Sequence, residues 1–204
     1  MKTLVKTISI FSLIVIVTGF NVDDILPKGW GKAGNNPNAF RIGIENKFAK
    51  HGLKCAFIES IDKQPTGFCT LMQTIIDNDY SNKRIKMTGY VKTEGTIDTA
   101  QMWVRIDDFD KRIMADFDNM DNRPIIGTKD WQKCEIIFDV PPSSYTLNFG
   151  VFLHGTGKIW VDNITFVIVD QSTIKTAHII NKPLPPNFII KKNPGKALNL
   201  DFED

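Results

Sequence analysis

The segment AQMWVRID, residues 100–107, indicates the fold class of this chain. Successive side chains of a β-strand point to opposite faces, so the segment divides into Met102, Val104 and Ile106 on one face and Trp103, Arg105 and Asp107 on the other. The first set is apolar and the second is mixed. This alternation predicts a half-buried strand whose apolar face lies in the core.

Segments of this kind recur from Phe40 to Val169. They are short, rich in β-branched and aromatic residues, and separated by turn residues such as HG, PTG, EGT, PPSS and GTG. No long segment after the N-terminal region shows a helical stripe of apolar residues. About eight strands at this spacing predict an all-β protein with an antiparallel β-sandwich, and a two-sheet jelly roll accommodates that number.

Five blocks also carry a family resemblance: LPKGW, GIENKFAKHGLKCAFIES, GTIDTAQMWVRID, FDNMDNRPIIGTKDW and GKIWVDNITF. Across roughly Leu26 to Val169 they resemble a bacterial galactose-binding-like jelly roll, the architecture of many carbohydrate-binding modules. The closer similarity is to a small group of such domains found alone or beside AraC-type regulators and exported hydrolases. The resemblance implies the fold more directly than the function.

Nucleic acid is not an expected partner of this chain. The sequence shows no helix-turn-helix, so the association of similar domains with regulators does not imply DNA binding. The formal net charge is only +2, whereas nucleic-acid binding usually needs a clustered basic face.

The first twenty residues differ from the rest of the chain. Lys2 and Lys6 precede the apolar run ISIFSLIVIV, and the small residue Gly19 follows it. This pattern is typical of an export signal, and the run is shorter than the roughly 20 apolar residues that span a membrane. We therefore expect an exported protein, located in the periplasm, at the cell surface or outside the cell, with no membrane span in its mature form. The alternative is an uncleaved N-terminal anchor.

The remaining chain divides into three parts. Residues 21–170 form the predicted β-sandwich domain, and residues 171–197 carry several prolines and are expected to form an irregular connection. Residues 198–204 read LNLDFED and alternate like a half-buried strand, so we expect a C-terminal strand docked on the sandwich.

The sequence contains no recognised catalytic motif, and its cysteines and aspartates have simpler explanations. Cys55, Cys69 and Cys134 are an odd number in alternating apolar segments, which favours buried thiols, although a bridge between Cys55 and Cys69 stays open. The acidic stretch Met114–Trp131 is interpreted as a long loop between strands in which Asp and Asn make turn hydrogen bonds. A ligand-binding loop and a hydrolase that uses these aspartates are the alternatives.

The mixed strand faces predict a ligand site. In TLNFGVFLH, residues 146–154, Leu147, Phe149, Val151 and Leu153 alternate with Asn148, Gly150, Phe152 and His154. We expect one shallow site lined by Trp103, Arg105, Asp107, Asn119, Arg123, Asn148 and His154. Trp103 would stack on a sugar face, and Arg105 and Asn148 would donate to hydroxyls. Asp107 would act as an acceptor and also orient Arg105. Arg123 would pin its loop rather than touch ligand.

The predicted function is an exported, non-catalytic module that binds a carbohydrate or a similar polyhydroxylated ligand. The alternative is a structural or protein-interaction module that docks on an envelope protein without binding sugar. No cofactor is expected, apart from a structural calcium ion. The resemblance implies that ion because Asp162 corresponds to a last-strand aspartate that holds calcium in several jelly-roll modules, with Glu203 or Asp204 as its partner.

Overall fold

A computed structural model describes residues 24–76, 78–142, 145–184 and 195–204. The expected export signal, residues 1–20, lies outside these residues. The described part forms ten β-strands and two short 3₁₀ helices, Pro37–Ala39 and Asn78–Tyr80. The strands are β1 Gly31–Gly34, β2 Phe40–Glu45, β3 Cys55–Ser60, β4 Phe68–Ile75, β5 Arg84–Asp108, β6 Ile113–Asp118, β7 Ile125–Asp139, β8 Tyr145–His154, β9 Lys158–Val169 and β10 His178–Pro183.

The long strand β5 joins two layers of antiparallel sheet. Its first half, residues 84–94, lies between β7 and β9, and its second half, residues 99–108, pairs with β8 and, toward its end, with β6. The front sheet therefore has the order β1-β4-β8-β5-β6-β10, and the back sheet has the order β2-β3-β9-β5-β7. The prediction of an all-β antiparallel jelly-roll sandwich is confirmed.

The core lies between the two sheets and has the side chains that strand alternation assigned to it. Met102, Val104 and Ile106 of β5 are fully buried. The same is true of Leu147, Phe149, Val151 and Leu153 of β8. Burying such side chains stabilises a fold by about 1.5–3 kcal/mol each, so the alternation fixes which face of each strand turns inward.

Two predicted irregular segments are partly strand. Within residues 171–197, β10 pairs with β6, with a register shift between Ile179 and Lys182. Within Met114–Trp131, β6 and β7 take most of the residues and leave only residues 119–124 as the connection. The prediction of a long loop is wrong because the acidic side chains of β6 find partners inside the fold, so they do not prevent strand pairing.

The C-terminal segment packs on the domain, but it is not a strand. Asn199 and Phe202 have φ angles of 48° and 61°, which belong to turns and break an extended backbone. Phe202 is nevertheless fully buried, with its ring centroid 5.1 Å from that of Trp30. Trp30 Nε1 also donates to the carbonyl of Asn199 at 3.0 Å. Strand pairing therefore does not hold this segment. It is held by an anchored aromatic residue together with hydrogen bonds, such as the one from the Ile164 N–H to the Leu200 carbonyl at 2.9 Å.

Candidate functional site

A groove with a volume of about 450 Å³ lies on the outer face of the front sheet. Its lining residues come from β1, β4, β8, β5 and the end of β6: Ala33, Gly34, Phe68, Thr70, Met72, Phe152, Trp103, Arg105, Phe117 and Asn119. Those from β4, β5 and β8 alternate with core residues, so the pleat of the sheet directs them away from the core.

Trp103 forms the floor of this groove. Its side chain leaves the core face, as the sequence predicted, but the residue is only 9% exposed. Its Nε1 donates a hydrogen bond to Thr70 Oγ1 at 2.8 Å, and the Thr70 hydroxyl donates to the carbonyl of Val151 at 2.8 Å. The indole is therefore held in one orientation, with its N–H group already used inside the protein.

Three half-buried phenylalanine rings surround the floor. Phe68 of β4 and Phe152 of β8 are in edge contact, with ring centroids 5.7 Å apart, and Phe117 comes from β6. None of these three phenylalanines was predicted to line the site. The signal was present for Phe68, because strand alternation in FCTLMQTI separates it from the buried Cys69 and Leu71.

Arg105 is held at the groove by a buried polar network. Its Nη2 and Nε donate to Asp107 Oδ2 at 3.0 and 3.3 Å. Asp107 is fully buried, and the same oxygen accepts from Asn148 Nδ2 at 2.8 Å. Asn148 in turn accepts from the Thr74 hydroxyl at 2.8 Å. Asp107 and Asn148 therefore lie behind Arg105 and orient it, instead of lining the groove themselves.

The other three predicted site residues do not lie together in the groove. Asn119 lines the groove. Arg123 does not, and its Nη2 binds Asp118 Oδ2 at 2.7 Å and the carbonyl of Glu135 at 3.2 Å, which pins the connection before β7. His154 is exposed at the end of β8, with its Nδ1 3.3 Å from Asp98 Oδ2, and lies outside the groove lining.

Asp118 shows how strongly this connection is held. Burial of the carboxyl raises its pKa, but hydrogen bonds from Arg123, from the Thr176 hydroxyl at 2.6 Å and from the N–H of Met120 outweigh that cost. The net result is a pKa below the usual value of Asp. The carboxylate is therefore a charged structural anchor of the segment next to the groove.

Asp116 in this segment and Asp139 at the end of β7 also have partners. Asp116 accepts from Lys175 Nζ at 2.9 and 3.0 Å and from the backbone N–H of Asp139. Arg84 Nε and Nη2 donate to the two carboxylate oxygens of Asp139 at 2.8 and 2.9 Å. Asp116 and Asp139 border a charged cavity of about 690 Å³, which is larger than the groove. The carboxylates of this cavity form ion pairs with lysine or arginine. The arrangement supports the structural interpretation of the aspartate cluster.

The proposed calcium ligands bind backbone N–H groups. Asp162 Oδ2 accepts from Lys50 and His51 at 2.7 and 2.8 Å, and Glu203 Oε1 accepts from Leu53 and Lys54 at 2.7 and 2.9 Å. Calcium takes six to eight oxygen ligands. Among the described residues, no group of three or more His, Cys, Asp or Glu could hold a metal ion. The two carboxylates clamp residues 50–54, and this arrangement does not fit a calcium site.

The cysteines are separate buried thiols. Burial raises the pKa of Cys55 and Cys69 to about 12 and that of Cys134 to about 11, so none is a reactive thiolate near neutral pH. The possible bridge between Cys55 and Cys69 is not formed. In the described ranges, no helix has the length and apolar character needed to cross a membrane.

Comparisons with known proteins extend this fold assignment. No family model matches the chain. The chain is 34% identical over 178 residues to the uncharacterised HTH-type transcriptional regulator YbfP of Bacillus subtilis, and the match covers 87% of this chain and 57% of the regulator. The chain therefore spans somewhat more than half the length of that relative.

Solved structures share the fold at low sequence identity. The enzymatically active domain of bacteriophage CBA120 tailspike protein 4 matches with a TM-score of 0.56 and 14% identity, over 70% of this chain and 20% of that one. A cyclase from Fischerella sp., solved with an indole ligand, matches with a TM-score of 0.52 and 15% identity, over 74% of this chain and 90% of the cyclase. The CBM22 xylan-binding domain from Paenibacillus barcinonensis matches with a TM-score of 0.50 and 13% identity, over 72% of this chain and 90% of that domain. The chain thus shares its jelly-roll fold with these structures, among them a xylan-binding domain.

Proposed function

We propose that this protein is a non-catalytic binding module whose front-sheet groove takes a carbohydrate or a similar polyhydroxylated ligand. The observation that carries the proposal is the groove itself, with Trp103 as its floor and three phenylalanine rings around it. Aromatic surfaces pack against the C–H faces of sugar rings, and a few fixed polar groups orient the hydroxyls. Arg105 and Asn119 are the polar groups of this groove that have donors left over.

Two comparisons support the proposal. One of the solved structures with this fold is described as a xylan-binding domain, and the regulator that this chain matches over 57% of the regulator's length is of the HTH type by its name. Fold alone hosts many functions, so the groove residues and not the fold carry the argument.

A glycan array tests the proposal directly. The intact protein is expected to bind one class of saccharide, and Phe152→Ala in the groove wall is expected to weaken that binding. Trp131→Ala is the matched control, because Trp131 is a half-buried aromatic residue of β7 outside the groove. Absence of any saccharide binding by the folded protein, or equal loss in both variants, would refute the proposal.

Export is a second part of the proposal and rests on the sequence of residues 2–19, where two lysines, an apolar run and Gly19 follow one another. Mass spectrometry of the protein recovered from its native cell should show an N-terminus near Phe20. A soluble cytoplasmic protein that retains Met1 would contradict export without affecting the ligand site.

The alternative, a module that docks on an envelope protein, is favoured by one observation. Every residue of β10 is exposed, and this strand ends the front sheet with Ile179 67% exposed. Strands at a sheet edge present unpaired N–H and C=O groups to which another chain can add. A pull-down from envelope extract that Ile179→Lys abolishes, together with a blank glycan array, would support this alternative.

A further inference from the structure

The side chains that line the groove have more unused hydrogen-bond donors than unused acceptors. Among the described side chains that line it, Thr70 Oγ1 already accepts from Trp103, and Asn119 Oδ1 accepts from the N–H of Asp121 at 3.3 Å. None of the described residues that line the groove carries a carboxylate. The nearby Asp107 is fully buried behind Arg105. What the lining has left over are the outer N–H groups of Arg105 and the amide N–H₂ of Asn119.

Arg105 is prepared to bind an acceptor from the ligand. Its guanidinium has five N–H groups, and its hydrogen bonds to the described residues use only Nε and Nη2, both directed to Asp107 Oδ2. In the described part of the chain, Nη1 has no hydrogen-bond partner, and the side chain is 29% exposed. The pair of N–H groups on Nη1 and Nη2 therefore remains as a fork, which matches the two oxygens of a carboxylate.

The polar network makes this fork rigid. Asp107 fixes the guanidinium from one side, Asn148 Nδ2 donates both to Asp107 at 2.8 Å and to the carbonyl of Arg105 at 3.3 Å, and Thr74 fixes Asn148. A fork held in this way loses little side-chain entropy when ligand binds. The apolar rings around it reduce hydration and strengthen a charge-assisted hydrogen bond.

We propose that the natural ligand is an acidic saccharide, whose carboxylate is bound by Arg105 and Asn119 while the apolar face of its ring packs on Trp103 and the surrounding phenylalanines. A carboxylate only accepts hydrogen bonds, and a site with spare donors suits it. A neutral sugar also brings hydroxyl donors, for which the lining side chains have few acceptors. This inference rests on the proposed function and adds the chemical class of the ligand.

The test compares trigalacturonic acid with its methyl ester, which keeps the size and loses the charge. By calorimetry at low salt, the acid is expected to bind about tenfold more tightly than the ester, in keeping with one charge-assisted hydrogen-bonded pair. Added salt should reduce the preference, since Arg105 is partly exposed. Arg105→Gln should remove it, whereas Arg112→Gln, at an exposed position outside the groove, should preserve it.

The outcomes separate this inference from the proposed function. Equal binding of acid and ester, or binding of neutral saccharides alone on the array, overturns the acidic ligand and leaves the carbohydrate module standing. No binding of any saccharide overturns both. If Arg105→Gln melts at a lower temperature than the intact protein, Arg105→Lys replaces it: this variant keeps the charge but not the fork, and full acid preference in it would overturn the bidentate contact.

Discussion

Trp103 of β5 donates its indole N–H to the hydroxyl of Thr70 of β4 at 2.8 Å, although β8 lies between these two strands. Gly150 of β8 stands directly opposite Trp103 in the register and has no side chain to obstruct the indole. The hydrogen bond thus joins β5 to β4 across the intervening strand β8, at the floor of the groove. Trp103 therefore belongs both to the candidate site and to the stability of the front sheet.

Replacing Trp103 should destabilise the fold as well as weaken ligand binding. Trp103→Ala is expected to lower the free energy of unfolding by about 3–5 kcal/mol, the usual cost of removing a buried large aromatic residue. Strand alternation places Trp103 outside the core, but the residue is only 9% exposed, so its loss removes buried contacts. Urea denaturation measures the effect, and an unfolding curve like that of the intact protein would contradict it.

Gly150→Ala should also destabilise the protein. A Cβ atom at Gly150 would overlap the carbonyl oxygen of Leu71 on β4, and a backbone atom cannot move aside as a flexible side chain can. The expected loss is about 1–3 kcal/mol or more. Gly31→Ala is the matched control, since the nearest atom to its added Cβ is 3.8 Å away. If the two variants have the same melting temperature, the close approach of β4 to β8 does not restrict the side chain at position 150.

The acid sensitivity of the protein should depend on Arg123. The pKa of Asp118 is depressed in the folded state, so its ionised form stabilises the fold at pH values above about 3.9, the usual unfolded value. That contribution is lost as the pH falls through the folded pKa. Arg123→Gln should lower the free energy of unfolding near neutral pH. It should also make that free energy fall less steeply as the pH is lowered. Arg112→Gln should leave the pH profile of the unfolding free energy unchanged.

The C-terminal segment should contribute stability mainly through Phe202. This ring is fully buried beside Trp30, so Phe202→Ala is expected to cost about 3–5 kcal/mol. Leu198→Ala, four residues earlier and 52% exposed, should cost much less. Differential scanning calorimetry of both variants checks the difference. Equal melting temperatures would mean that the segment is not held by its aromatic anchor.

A chelator should not change the melting temperature. Asp162 and Glu203 accept backbone N–H groups of residues 50–54, so these carboxylates stabilise the domain without a cation. Asp162→Ala should lower the melting temperature equally with and without calcium, because the loss is that of three hydrogen bonds to a buried carboxylate. A calcium-dependent rise in the melting temperature of the intact protein would show that a metal site exists after all.

Strand alternation in the sequence determined the fold class, the inward face of β5 and β8, and the outward direction of Trp103 and Arg105. These features are local, because each depends only on the two-residue period of a strand and on the preference of apolar side chains for the core. Local pattern also indicated that Arg123 pins its connection. It misjudged β10 and the Met114–Trp131 segment because pairing with a distant strand, and not composition, decides whether polar residues are extended.

Only the tertiary structure decided which outward-facing residues share a groove. Phe68, Trp103 and Phe117 lie far apart along the chain and meet because β4, β8, β5 and β6 are neighbours in the front sheet. His154 has the same strand parity as Phe152 but lies beyond the groove, and Asp107 is covered by its own partners. The two-residue period assigns a face, whereas sheet order and register assign neighbours, and those depend on the packing of the whole chain.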